Sequence, residues 1–267
     1  MSISSTKHEL CDYLDNKRFD SKKYYEILKT RVDVPVKYTR LDAYMAFFPV
    51  SYKEAYDLIG VKKIYPVSIL NAKTLLALTI FDYAKCQVGP YREIALSIPV
   101  RIDPIRNVPI FPLIFDDLFN DYGFYTILLA MSTEIARDHS KVIFGFPTYK
   151  NTLDIQIEDC KNFAFIKIND NNSPVLSLKI KFSTKINTIE KTFRTYFKAN
   201  NNQISVVSLN AKAAESRLRK NNLGKLELGN HHIAEIIKTL IPTLEPIQTV
   251  RYSNAAEVLD EPIILKL

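Results

Sequence analysis

Cysteine is scarce in this 267-residue chain, and its three copies, Cys11, Cys86 and Cys160, are odd in number and far apart. They suit neither a disulfide framework nor a metal-ligand cluster. Histidine is equally thin: His8 and His139 stand alone, and His231-His232 open a helical pattern, where exposed backbone capping accounts for them. No metal is expected. No apolar run approaches the length of a membrane helix, and the stretch 124–131, among the strongest, is strand-sized. Residues 1–10 lack the apolar centre of a signal peptide, so a reducing cytoplasm is the expected compartment, with no membrane partner. The sequence also lacks a Gly-x-Ser-x-Gly elbow, a phosphate-cradling loop, a dinucleotide fingerprint, a repeat of fixed period and a Gly/Ser linker. No cofactor is expected, and the chain reads as one domain, residues 34–267, behind a helical extension, residues 1–33.

What is present is an ordinary globular composition, 47% hydrophobic and 24% charged. The net charge of +7 comes from 36 basic and 29 acidic side chains. Its densest stretch, residues 212–225 with Arg217, Arg219 and Lys220, reads as the solvated face of a helix. Elsewhere lysines alternate with apolar residues, as in Leu178-Lys-Ile-Lys-Phe182, the pattern of a half-wet strand. Charge without a reading motif gives no basis for a nucleic-acid partner, and a positive field serves an anionic small molecule equally well.

Helical spacing is expected near both ends. Ser21 caps a segment that gathers Tyr24, Tyr25, Ile27 and Leu28, and Ser51-Tyr-Lys-Glu54 is a capping box ahead of Ala55, Leu58 and Ile59, stopped by Gly60. Ile233, Ile236, Ile237 and Leu240 form a third helix ended by Pro242. Between them lie strand-like runs at 75–83, 93–102, 125–131, 142–146, 152–158, 163–168, 175–182 and 204–209, with a hairpin turn at 169–174. Ser132 or Thr133 starts a short helix in which Glu134 and Arg137 form a surface pair. Strands in long succession argue against a doubly wound sheet. The fold class is α+β, mainly β: an antiparallel curved sheet or closed barrel with flanking helices.

Two segments carry a resemblance. Gly89-Pro-Tyr-Arg-Glu-Ile-Ala-Leu-Ser-Ile-Pro-Val100 and Gly145-Phe-Pro147, in this order, resemble the acetoacetate decarboxylase family, whose likeness extends from about residue 34 to 260. Tyr91, Glu93, Pro99 and Val100 match its Gly-x-Tyr-x-Glu segment and the strand after it. The resemblance implies a barrel with a buried pocket, a small carbonyl or carboxylate ligand, and a homo-oligomer. In that family two lysines follow the Gly-aromatic-Pro run: the first forms a Schiff base and the second depresses its pKa. Here Thr148 and Tyr149 stand in those places.

A Schiff-base amine must be neutral near pH 7, far below its ordinary value of ~10.4, which takes desolvation or a cationic neighbour. Neither Thr148 nor Tyr149 forms an iminium. Lys150 shares a strand face with Thr148, displaced by roughly 6–7 Å, and is the remaining candidate amine. Glu93 is the candidate proton relay, and Tyr149 a donor to a substrate carbonyl or an aromatic packed beside Pro147. Arg40, Tyr91 and Thr148 are the candidate substrate-binding residues, and a second family glutamate falls at Leu78. Three functions follow: a keto-acid or carbonyl pocket without efficient Schiff-base decarboxylation, a β-keto acid decarboxylase using Lys150, or a non-catalytic ligand-binding or structural protein. Altered proton-transfer chemistry through Glu93 and Tyr149, as in a tautomerase, hydratase or lyase, belongs with the first.

Overall fold

The computed structural model describes residues 23–104, 109–114, 118–199, 203–220 and 222–266. Its strands, in chain order, begin with β1 (Lys23–Ile27), β2 (Thr30–Val34), β3 (Val36–Ser51), β4 (Ile64–Pro66) and β5 (Lys73–Cys86). They continue with β6 (Tyr91–Ile102), β7 (Tyr122–Met131), β8 (Asp154–Cys160), β9 (Phe163–Asp170) and β10 (Ser173–Lys181). The last five are β11 (Asn187–Lys198), β12 (Ile204–Arg219), β13 (Gly224–Leu228), β14 (Gln248–Leu259) and β15 (Ile263–Leu265). The helices that matter below are α1 (Tyr52–Ile59), α2 (Glu134–His139) and α3 (His232–Leu240).

Seven strands close a barrel in the order β11-β7-β6-β5-β3-β14-β12, with β12 returning to β11. Each neighbouring pair is antiparallel except β7 with β11, a parallel contact of two residue pairs, Thr195 with Phe124 and Tyr196 with Tyr125. A second sheet, in the order β13-β10-β9-β8, lies against the barrel. This makes two cores. Leu76, Leu78, Ile80, Ile94, Leu96 and Ile98 turn outward and meet Ala164, Ile166, Ile168, Leu178 and Ile180 of the second sheet. Tyr38, Leu41, Ala43, Tyr83, Tyr91 and Ala95 turn inward. A strand buried on both faces cannot alternate apolar with polar, which is why 75–83 and 93–102 are nearly continuous apolar runs.

Several local expectations hold. Ser51 Oγ accepts the Glu54 N–H at 3.3 Å to start α1, and Gly60, at φ 60°, ends it. Thr133 Oγ1 accepts from Ala136 at 3.4 Å to start α2. Asn171 and Asn172, at φ 46° and 68°, make the two-residue turn between β9 and β10.

Other expectations need correction. Residues 1–22 of the expected helical extension lie outside the described residues, but 23–34 are a hairpin, β1 with β2. Leu28 and Lys29, at φ 46° and 66°, supply the turn, and Ile27, Val32 and Val34 are buried by strand alternation rather than on a helical stripe. The run 142–146 is not a strand: Ser140–Phe144 is a π-helical turn continuing α2, ended by Gly145 at φ 76°. Its apolar Ile143 and Phe144 pack into the barrel-side core, and a short apolar run of this kind does not by itself distinguish a strand from a buried helical turn. The basic stretch from Lys212 is no helix face, because it continues β12 to Arg219, with Ala211 and Ala213 buried on either side of half-buried Lys212. Arg137 takes Asp138 at 2.9 Å and the Lys150 carbonyl at 2.9 Å as partners, rather than the expected Glu134.

Candidate functional site

The barrel encloses a cavity of about 130 Å³. Register explains what lines it. On β3 the inward residues are Tyr38, Leu41, Ala43 and Met45; facing them on β5 are Thr79, Phe81 and Tyr83, and next on β6 come Tyr91, Glu93, Ala95 and Ser97. From the other side β14 contributes Tyr252, Ala255, Glu257 and Leu259, with Glu257 paired to Tyr38 and Ala211. Half-buried Phe81, Phe124, Phe193 and Tyr252 form the more accessible part of the lining.

Two carboxyls therefore meet inside an aromatic chamber. Glu93 is 7% exposed and Glu257 3%. Burial pushes Glu93 up to about 8, with the neighbouring charge of Glu257 adding to the effect. Burial also pushes Glu257 up to about 8, against a hydrogen bond from Tyr83. Glu257 Oε1 has no hydrogen-bond partner among the described residues, and a buried carboxyl oxygen left unpaired is costly. Burial raises the phenols of Tyr38, Tyr83 and Tyr91 well above the ordinary range, so all three stay protonated. Their rings pack as a layer, Tyr38 to Tyr83 at 4.7 Å and Tyr83 to Tyr91 at 4.5 Å between centroids.

Of the expected site residues, Glu93 and Tyr91 line this chamber and four do not. Arg40 sits where the pairing of β3 with β5 shifts register on both its sides, and the irregularity turns it outward, exposed. Residues 147–149 run beside β7, with Leu129 N–H to the Pro147 carbonyl at 2.9 Å and Tyr149 N–H to the Leu129 carbonyl at 2.7 Å. Thr148 lies opposite Leu129 in that pairing and does not line the cavity. Tyr149 packs into the outer core, away from the chamber. Lys150 is exposed. Among the described residues no lysine, arginine or histidine lines the cavity. Leu78 also faces the outer core, so a carboxylate there would point away from the chamber; Thr79 and Phe81 are the inward neighbours.

Tyr149 does have a polar role. Its hydroxyl donates to Asp170 Oδ2 at 2.8 Å, and His231 Nε2 and Asn151 Nδ2 each lie 3.2 Å from the same oxygen. Asn171 Nδ2 donates to Oδ1 at 3.0 Å. His231 Nδ1 accepts the Ile233 N–H at 3.2 Å, so the ring caps α3 and carries its proton on Nε2, toward Asp170. His231 is 11% exposed, not the solvated cap expected. Burial works to raise Asp170, but the donors outweigh it and hold the carboxyl below its usual range. This hub joins the 145–151 segment to the second sheet and to α3.

Sequence reasoning missed Glu257, Tyr38, Tyr83, Asp170 and His231 as site or hub residues. The available signal for Glu257 was one carboxylate inside Ala255-Ala-Glu-Val-Leu259, where a strand face should be apolar. Among the described residues no group of three or more His, Cys, Asp or Glu is placed to hold a metal, and no helix is long and apolar enough to cross a membrane.

The fold is that of the acetoacetate-decarboxylase-like proteins. A solved acetoacetate decarboxylase superposes with TM-score 0.59 over 86% of this chain and 89% of its own, at 11% identity. The acetoacetate decarboxylase of Legionella pneumophila gives 0.57 over 95% of each chain, at 11% identity. The enduracididine biosynthesis enzyme MppR, complexed with pyruvate, gives 0.58 over 86% of this chain and 89% of its own, at 7% identity. No family model matches the sequence, and neither does any curated protein. At such identities the likeness concerns the fold alone.

Proposed function

We propose that this protein binds a small molecule inside an acetoacetate-decarboxylase-like barrel and handles protons there through Glu93 and Glu257, without a Schiff base. The observation that carries the reading is the chamber's lining: two buried carboxyls raised to about 8 and, among the described residues, no amine. Near neutral pH such a pair holds one or two protons, so one carboxyl donates while its ionised partner accepts, the arrangement acid–base chemistry needs. Tyr83 serves Glu257, and the remaining neutral phenols, Tyr38 and Tyr91, are able to orient a polar ligand atom. An anionic keto acid would add a third carboxylate to an uncompensated pair, so the ligand is a carbonyl or other polar compound without a free carboxylate. A homo-oligomer belongs to the same reading, favoured by exposed Ile263 and Ile264 on β15, which pairs only with β12 among the described strands.

Incubation with acetoacetate and borohydride, followed by peptide mass mapping, tests this. No lysine adduct and no carbon dioxide release are expected. A reduced adduct on Lys150 with decarboxylation would reinstate the amine mechanism.

A further inference from the structure

Resting on that reading of the chamber, we infer that its natural ligand is a small organic cation, an amine or quaternary ammonium held by Glu257 and Glu93 against aromatic walls. Four independent observations converge. Glu257 lines the cavity, and its buried Oε1 accepts from no donor among the described residues, so a donor or a positive charge brought close to that carboxyl would be stabilised. A second carboxyl, Glu93, faces the same space, and without a compensating cation the pair keeps its protons rather than ionising together. The walls are ring faces and edges: Tyr38, Tyr83 and Tyr91 at the carboxyl layer, with Phe81 stacked on Tyr83 at 5.5 Å, and Phe193 edge-on to Tyr252 at 5.8 Å. Aromatic faces carry negative potential and attract ammonium groups in dry surroundings. Finally, no basic side chain among the described residues lines the chamber to compete for the two acids.

The alternatives fit less well. An uncharged ligand would satisfy Glu257 Oε1 through a hydroxyl or amide donor but would do nothing to favour the ionised acids. An anion would oppose their ionisation further. The chain's net charge of +7 opposes cations at long range. That field is screened over about 8 Å at physiological salt, whereas the acids would touch the ligand. Charge also makes binding and protonation interdependent. The titratable groups around the pair are Tyr38 from β3, Tyr83 and Cys86 from β5, Tyr91 from β6 and Tyr252 from β14; β7, β11 and β12 contribute apolar or hydroxyl side chains to the lining. The phenols stay neutral, so a bound cation draws protons off the two carboxyls alone.

The experiment is calorimetric titration of the full chain with choline and tetramethylammonium, each against an uncharged control. For choline the control is 3,3-dimethylbutan-1-ol, which has its shape with carbon in place of nitrogen. Choline is expected to bind at least tenfold more tightly than the alcohol at pH 8. Its affinity should rise from pH 6 to pH 9, and its heat should differ between phosphate and Tris because protons are released. Glu257→Gln preserves shape and removes charge; it should weaken choline tenfold or more and suppress proton release. Equal or tighter binding of the alcohol, undiminished choline binding by the variant, or no binding of either cation would overturn the inference. Borohydride trapping reads an amine and this titration reads charge, so the two proposals can fail separately.

Discussion

A single side chain, Glu257, is buried in the chamber wall with its carboxyl raised, and its ionisation is coupled to folding. Its carboxyl lies at about 8 in the folded protein against an ordinary value of 4.5. Between those two pH values the folded state keeps a proton that the unfolded chain releases, so stability falls as pH rises across that window. Glu257→Gln removes this loss while its amide oxygen can still accept from Tyr83. The variant should melt several degrees above the parent at pH 8.5, where ~1 kcal/mol corresponds to ~2–4 °C in a chain of this size, and close to it at pH 4.5. Thermal melts at the two pH values check this, and an identical difference at both would remove the buried-charge account. Glu93 was legible in the sequence because Gly89-Pro-Tyr-Arg-Glu93 is a local pattern. Glu257 was not, because its place is set by pairing with Tyr38, more than two hundred residues away. Arg40 and Lys150 show the converse: the sequence offers the right charge, and a register irregularity in one case and a surface loop in the other turn it away from the cavity.

At the level of elements, signals that act over a few residues were readable. Ser51 with Glu54 and Gly60 bounded α1, and Asn171-Asn172 marked a hairpin, because capping and turn geometry depend on immediate neighbours. Strands such as β3 and β14 escaped notice because polar residues interrupt them, Thr39, Arg40 and Asp42 in β3 and Arg251, Ser253 and Asn254 in β14, where register shifts also break the period of two. The segment 23–34 resembled a helix because Tyr24, Tyr25, Ile27 and Leu28 satisfy helical spacing, while Leu28-Lys29 gives no glycine or asparagine to announce a hairpin turn. The Asp170 hub makes a quantitative claim about elements. Asp170→Ala would strip the shared acceptor from Tyr149, Asn151 and His231 in a partly buried setting. A loss of roughly 2–4 kcal/mol is expected, several groups each contributing ~1–3 kcal/mol less any rescue by water. Urea denaturation measures it, and a loss below about 0.5 kcal/mol would mean that water replaces the carboxylate without cost.

For the whole molecule, closure of the barrel rests on a short seam. Strands β7 and β11 share two residue pairs, while the neighbouring β3 and β5 pair along nearly their full length. Residues 147–149 continue the wall beside Leu129, where β11 no longer pairs with β7, so the Gly-aromatic-Pro segment is first of all part of the barrel. Gly123 is what lets the seam approach: a Cβ there would meet the Arg194 carbonyl oxygen at 2.4 Å and the Tyr196 ring at 2.6 Å. Backbone cannot move aside as a flexible side chain can, so Gly123→Ala must push β11 from β7. We expect it to cost ~1–3 kcal/mol, the range for forcing extra volume into packed structure, and to act unevenly. Amides of Phe124, Tyr125, Thr195 and Tyr196 should lose hydrogen-exchange protection, while those of Thr79 and Ile80 on β5 keep theirs, because opening at a seam is local before it is global. Ser51→Ala, which removes the α1 cap for ~1 kcal/mol, provides the control for general destabilisation. If both variants lower protection evenly across the barrel, the seam is no weaker than the rest of the wall; if Gly123→Ala alone exposes it, closure of the chamber depends on one missing methyl group.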